Sequence, residues 1–311
     1  MRIVFMGSGK LACPALRTLL GRKADAVAAV VTQPDRPSGR RQHLAPCAVK
    51  AFAQDRGVPI LTPENVSAAD VEAKLKGFQP DLVVVADFGQ FLKPNILALP
   101  PQGTINIHPS LLPKYRGAAP IQWAVANGEI ETGVTVMYVT EKMDAGDVIV
   151  QEKVPIRDED TAATLEPLLA EVGATLLVRA LEMIDQGAVA RRPQDDRQAT
   201  FAPKLSKEDG RIDWPQSASV IRNRIRGFIP WPACFCEVPD GSGHFLKVLK
   251  ARVEEKSGIP GTVLEWADAG PLVACGDDAL RLLEVQPEGK KTMSGSAYVN
   301  GHKLRVGEML G

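Results

Sequence analysis

Through its first two-thirds the chain alternates short apolar runs with helix-like stretches, and few architectures accept that order. Strand-like runs occupy Ile3–Met6, Val27–Val31, Leu82–Ala86 and Thr104–Ile107. Helix-like segments fall at Leu11–Leu20, Val49–Arg56, Ser67–Lys76 and Pro120–Ala126. Val83, Val84 and Val85 make an unbroken β-branched run, as expected of a parallel strand covered on both faces. Such alternation argues an α/β fold: a Rossmann-like, doubly wound parallel sheet with helices on both sides.

After Gly133 the pattern changes. Two extended runs, Val134–Thr140 and Val148–Ile156, read as strands added on either side of a loop carrying Asp144 and Asp147. A long helix is expected from about Thr164 to Gln186, capped by Thr164, with Pro167 tolerated in its first turn and Gly187 as its stop. Residues 187–206 are polar and without period, so they read as a connector. Beyond them come a short basic helix, Ala218–Arg226, and short strands at 234–238, 245–253, 261–264, 272–275 and 279–285. Strands of that length and spacing suggest a small closed barrel of the OB-like kind. The expected division is therefore a catalytic domain over 1–188, a linker over 189–206 and a smaller C-terminal β-barrel over 207–311.

With 311 residues, 45% of them hydrophobic, the chain can bury one large core or two ordinary ones. Its 37 basic and 37 acidic residues cancel, so bulk charge points to neither nucleic acid nor membrane, and any basic surface must be local. Five scattered cysteines include Cys234 and Cys236, too closely spaced for a common zinc pair and without a second pair. They read as small core residues on one strand face, reduced in a cytoplasmic protein. No apolar run is long enough to cross a bilayer. Gly7-Ser8-Gly9 follows the first strand, but Ala12 replaces the third glycine of a dinucleotide fingerprint and no acid ends the second strand. A tight strand-to-helix turn is the reading that remains.

Chemistry concentrates in Thr104–Ala118. Asn106 and His108 lie two residues apart at the end of a β-rich run, a spacing that sends both side chains to one face. Pro109 and Pro113 then hold a short loop beside that face. Asp144, on the loop after the next strand, supplies a carboxylate able to orient an imidazole or pass a proton.

From Asn106 to Gly117 the chain resembles, without a gap, the pattern N-x-H-P-S-L-L-P-x-Y-R-G of the formyltransferases that use 10-formyltetrahydrofolate. Asp144 to Val148 matches the D-x-G-D-(V/I) loop of the same family. The resemblance implies that Asn106, His108 and Asp144 are catalytic and surround the formyl group. It implies further that Ser110, Leu111, Leu112 and Pro113 line the tetrahydrofolate site, with Phe88 and Gln90 in another wall, and that no metal is needed. The insertion Pro34–Lys50 is similar to the P-D-R-P-x-G-R loop of the tRNA-acting branch, which makes Arg36, Arg40, Arg41 and Lys50 expected RNA contacts. It departs from that branch at Gln42 and His43, where lysines are often found. Ile212-Asp213-Trp214, Ile225–Pro232 and Gly289–Ser294 resemble the same branch. The expected partners are therefore folate and initiator methionyl-tRNA, in translation initiation, for a cytoplasmic monomer that does not associate with membrane. A nucleotide-amino-sugar acceptor is the alternative.

Overall fold

The computed structural model describes every residue except 39–42, 240, 242, 268 and 303. The chain divides into two compact units. The first comprises Met1–Pro120, Glu131–Pro155 and Glu166–Ala202; the second comprises Ile121–Ile130, Ile156–Leu165 and Pro203–Gly311.

In the first unit, β1 (Arg2–Gly7), β2 (Ala26–Val31), β3 (Ile60–Leu61), β4 (Leu82–Ala86), β5 (Thr104–His108), β6 (Glu131–Tyr138) and β7 (Val148–Pro155) form one sheet. Their order is β7-β6-β5-β4-β1-β2-β3. From β5 to β3 the pairs are parallel, whereas β6 and β7 add antiparallel strands at one edge. All five residues of β4 are buried, in keeping with its β-branched run. Val4, Met6, Ala29, Val31, Val83 and Val85 pack with Phe88, Leu92 and Ile96 in one core cluster. The alternating residues Ile3, Phe5, Val30 and Val84 are completely buried as well, so both faces of the sheet are covered.

Helix α1 (Ala12–Gly21) buries Ala12, Ala15, Leu16 and Leu19, the stripe an amphipathic helix turns to a core. The long helix, Ala162–Asp185, starts before the expected cap. Thr161 and Thr164 bond reciprocally: the Thr164 N–H donates to Thr161 Oγ1 at 3.2 Å, and the Thr161 N–H to Thr164 Oγ1 at 2.9 Å. This is capping-box geometry with Thr161 as the cap. Pro167 therefore lies inside the helix, not in its first turn, and removes one interior hydrogen bond.

In the second unit, β8 (Cys234–Glu237), β9 (Phe245–Glu254), β10 (Val263–Ala267), β11 (Gly270–Ala274) and β12 (Ala279–Pro287) form an antiparallel sheet in the order β8-β9-β12-β11-β10, with Met293–Ser294 paired to β12. The last residues of the chain bond both edge strands. Val263 N–H donates to Glu308 O at 2.8 Å, and Gly311 N–H donates to Glu237 O at 3.0 Å. Glu308 and Gly311 are three residues apart and lie within roughly 10 Å of each other, so one segment bonds the outer side of both edges only if the sheet curls. Cys234, Phe235 and Cys236 are all buried, and burial pushes both thiols up to about 12. Such cysteines behave as inert core residues.

Candidate active site

Two rows of register partners run across the antiparallel edge of the first sheet. His108 faces Thr135 on β6, which faces Gln151 on β7; Asn106 faces Met137. Spaced by two along β5, Asn106 and His108 project to the same side. His108 is buried and Asn106 half-buried. Among the described residues the Asn106 carboxamide has no hydrogen-bond partner, so its donors are available to a ligand.

His108 Nε2 lies 2.9 Å from the carbonyl oxygen of Tyr115, and Nδ1 lies 3.7 Å from Asp144 Oδ2. That carboxylate oxygen also accepts the Gly117 N–H at 2.8 Å. The sequence brings these groups together through unusual backbone. Tyr115 and Asp144 are both left-handed, at φ 60° and 48°, and Gly117 has φ 124°. A Cβ at Gly117 would stand 2.6 Å from Ala202 O, and one at Gly146 would stand 1.8 Å from Tyr138 O. Only glycine permits these approaches. A non-glycine residue held left-handed beside an imidazole is strain of the kind that functional sites retain.

The loop after β5 is fixed from the side by that first register row. Thr135 is completely buried; its hydroxyl donates to Ser110 O at 2.7 Å and accepts from Leu112 N at 3.2 Å. Gln151 Nε2 reaches both Thr135 Oγ1 at 2.7 Å and Leu112 O at 3.0 Å. Ser110 is itself buried and donates to Lys114 O at 2.7 Å. Leu112 is buried and precedes a cis bond to Pro113, while Leu111 is partly exposed.

Other residues singled out in the sequence occupy mixed positions. The Phe88 ring belongs to the core, and its carbonyl accepts from Ser8 Oγ and Gln33 Nε2. Gln90 bridges Val66 N and Pro63 O. The Gly7–Gly9 turn is pinned by Ser8 and Gly9 N–H groups donating to Asp87 O. The Asp87 carboxyl keeps one open side but is crowded enough that burial, and then the Glu166 charge, push it up. Arg36 pairs with Glu64 at 2.7 Å, and Lys50 with Asp35 at 2.7 Å, so both cations already have partners. Arg40 and Arg41 lie outside the described residues. Among the described residues no group of three or more His, Cys, Asp or Glu could hold a metal ion. None of the helices in the described residues is long and apolar enough to cross a membrane.

Four contributors escaped the sequence reading: the Tyr115 carbonyl, Thr135, Gln151 and Gln194. Tyr115 sits inside the matched segment, but a main-chain role leaves no side-chain signal. Thr135 and Gln151 look like ordinary strand residues until register pairs them. Gln194 lies in the stretch without period, yet its amide donates to Asp144 O at 2.9 Å and Gly146 O at 2.8 Å.

Asn106 and His108 on β5 and Asp144 on the loop between β6 and β7 set a carboxamide, an imidazole and a carboxylate at the antiparallel edge of one sheet. The sequence model described as Formyl transferase matches residues 1–181, and that of the Formyl transferase C-terminal domain matches 204–303. The chain belongs to the formyl transferase family. Its curated relatives include proteins named methionyl-tRNA formyltransferase. That of Citrifermentans bemidjiense is 42% identical over 311 residues, 100% of this chain and 96% of the relative. That of Moorella thermoacetica is 46% identical over 313 residues, covering 100% and 99%. Among solved structures, HypX from Aquifex aeolicus in complex with tetrahydrofolic acid superposes with a TM-score of 0.62 at 21% identity. The alignment covers 98% of this chain and 48% of HypX, so the chain spans about half its length. Phosphoribosylglycinamide formyltransferase from Bacillus halodurans gives 0.51 at 28% identity, over 59% of this chain and 95% of the other.

Proposed function

We propose that this protein transfers a formyl group from 10-formyltetrahydrofolate to the free amine of initiator methionyl-tRNA. The observation that carries the reading is the grouping of an Asn106 carboxamide without a partner among the described residues, a buried His108 and Asp144 beside one strand end. Full-length relatives bearing the methionyl-tRNA name support the choice of acceptor.

The donor set fits a folate carrier. Thr135 and Gln151 fix the 110–113 loop through its main chain, and Leu111, partly open on that loop, offers an apolar surface for a flat ring. When bound, the carrier supplies the formyl carbon. Asn106 donates an amide N–H to the oxygen that gains charge as the amine adds to that carbon. His108 takes the proton lost by the amine at Nδ1 and returns it to the departing nitrogen, so no proton is left over. Asp144 holds a carboxylate against that nitrogen and stabilises the imidazolium formed in between.

The second unit and the 34–50 loop would meet the RNA, with Arg36, Arg40, Arg41 and Lys50 as phosphate contacts; affinity should then fall steeply with salt. Residues 1–188 would form the catalytic domain and 207–311 the RNA-facing one, joined by 189–206. Charged initiator tRNA is a cytoplasmic substrate, and one chain carries the whole triad, so we assign the work to a cytoplasmic monomer. The test offers purified protein 10-formyltetrahydrofolate with methionyl-tRNA and, in parallel, an amino-sugar nucleotide. Formylation of the tRNA alone is expected; formylation of the nucleotide alone would replace this acceptor with a sugar.

A further inference from the structure

We propose that Gln194 is a positioning residue for the reaction, holding Asp144 in its left-handed conformation. The geometry comes from one side chain with every hydrogen-bonding site used. Its Nε2 donates to Asp144 O at 2.9 Å and to Gly146 O at 2.8 Å. Its Oε1 accepts from Arg116 Nε at 3.1 Å and Arg116 Nη2 at 2.8 Å. Carbonyls only accept and a guanidinium only donates, so the orientation of the amide is fixed without ambiguity. Only a carboxamide of this length offers two donors and two acceptor sites from one group.

Both ends of the clamp are anchored. Arg116 is 5% exposed and bonds Asp196 Oδ1 at 2.8 Å through Nη2. The chain on one side of Gln194 is paired to β7, with Val148 and Arg192 exchanging N–H···O bonds of 2.9 and 3.1 Å, while Arg191 lies 4.0 Å from the Tyr138 ring centroid. On the other side, Phe201–Ala202 pairs with Arg116–Gly117. Residues 191–202 thus wrap the Asp144 loop, and Asp144 at φ 48° is the strained element they hold. Releasing Gln194 frees the Asp144 carbonyl, lets φ relax and swings Oδ2 away from Gly117 N and His108 Nδ1.

For its activity readout the inference rests on the formyl-transfer reading; for its structural readout it does not. Two substitutions separate positioning from simple anchoring. Gln194→Glu keeps a strong acceptor for Arg116 but loses both donors and sets a carboxylate against two carbonyls. Gln194→Ala removes both sides. If Gln194 served only to satisfy Arg116, the glutamate variant would behave like the unmodified protein. The proposal requires it to be at least as impaired as the alanine variant. Expected is a loss of about 100-fold in kcat with little change in KM for either substrate, the scale of a catalytic group displaced by an ångström. On an Asp144→Asn background the same substitution should add little, because the group being positioned is already gone. Independently of turnover, hydrogen exchange at the Gly117 amide, whose N–H rests on Asp144 Oδ2, should accelerate in Gln194→Glu.

Unchanged kcat together with unchanged Gly117 exchange overturns the proposal, as does a loss that multiplies fully with Asp144→Asn. Absence of formyl transfer in the unmodified protein, with accelerated Gly117 exchange in Gln194→Glu, would sink the functional reading and leave the clamp standing.

Discussion

The Tyr115 carbonyl oxygen stands 2.9 Å from His108 Nε2 and fixes which ring nitrogen carries the lone pair of the neutral imidazole. A carbonyl accepts and never donates, so Nε2 carries a hydrogen in both protonation states. In the neutral ring the lone pair is then on Nδ1, turned towards Asp144 Oδ2 at 3.7 Å. That gap is too long for a direct hydrogen bond, so Nδ1 stays open to accept a proton, as the proposed formyl transfer requires. Nitrogen-resolved NMR of the neutral ring should find the Nε2–H tautomer; an Nδ1–H tautomer would contradict the arrangement. Replacing His108 by alanine should lower kcat by about 10²- to 10⁴-fold, the usual worth of a positioned acid–base group.

Asn106 should separate activity from stability. Its carboxamide is half-buried and bonds no described residue, so truncation leaves no stranded partner. Asn106→Ala is expected to shift the thermal midpoint by no more than about 2 °C, as for a loss below ~0.5 kcal/mol. The same change should cost about 10²–10³ in kcat if the amide stabilises developing charge on oxygen. Parallel melting curves and steady-state rates decide it. A destabilised but active variant would make Asn106 a structural residue.

What the sequence made legible follows from how local each signal is. The Val83–Val85 run announces a doubly covered strand by itself, and Asn106 and His108 share a face because strand period is local. Strand β3 has only Ile60 and Leu61, too short to show a period, and exists because it extends β2 at the sheet edge. Thr135 and Gln151 matter through register across β6 and β7, which no single segment encodes. Gln194 sits where periodicity vanishes, because its segment is shaped by bonds to loops about fifty and eighty residues earlier. Asn106, His108 and Asp144 could be singled out from the chain; the bonds that hold their loops in place could not.

Thr135 tests that hidden layer. Thr135→Val is nearly isosteric but strips the hydroxyl from a fully buried junction, leaving Ser110 O, Leu112 N and Gln151 Nε2 short of a partner. Stranded buried groups cost about 1–3 kcal/mol, so the unfolding free energy from urea curves should fall by that amount, with a lower midpoint and an unchanged slope. Because the released loop carries the expected folate contacts, KM for 10-formyltetrahydrofolate should rise more than kcat falls. A drop in kcat alone would detach the loop from folate binding.

The second unit should carry its own acid sensitivity. Arg281, 3% exposed, bonds Glu254 Oε2 at 2.7 Å and Glu265 Oε1 at 2.6 Å. The Arg281 hydrogen bond is the largest cause holding Glu254 well below the usual carboxylate range, at about 2; Arg252 adds to it. Glu265 is held low too, first by Lys256 and then by Arg281. A folded value below the unfolded one means the folded state binds the proton less readily. Stability from Glu254 is therefore complete above its ordinary value of 4.5 and is lost as pH falls towards about 2. Its ceiling is about 3 kcal/mol at 1.36 per unit, and less once solvent screening of a partly exposed pair is counted. Trp123, Trp214, Trp231 and Trp266, the four tryptophans of the chain, all lie in the second unit, so intrinsic fluorescence follows its unfolding. Urea midpoints read this way should fall between pH 4.5 and 2 in the unmodified protein. In Glu254→Gln the midpoint should start lower at neutral pH, because Arg281 loses the counter-charge it bonds through both Nε and Nη2, and should then fall less steeply over the same range. Parallel curves for the two proteins would mean that the acid response arises elsewhere.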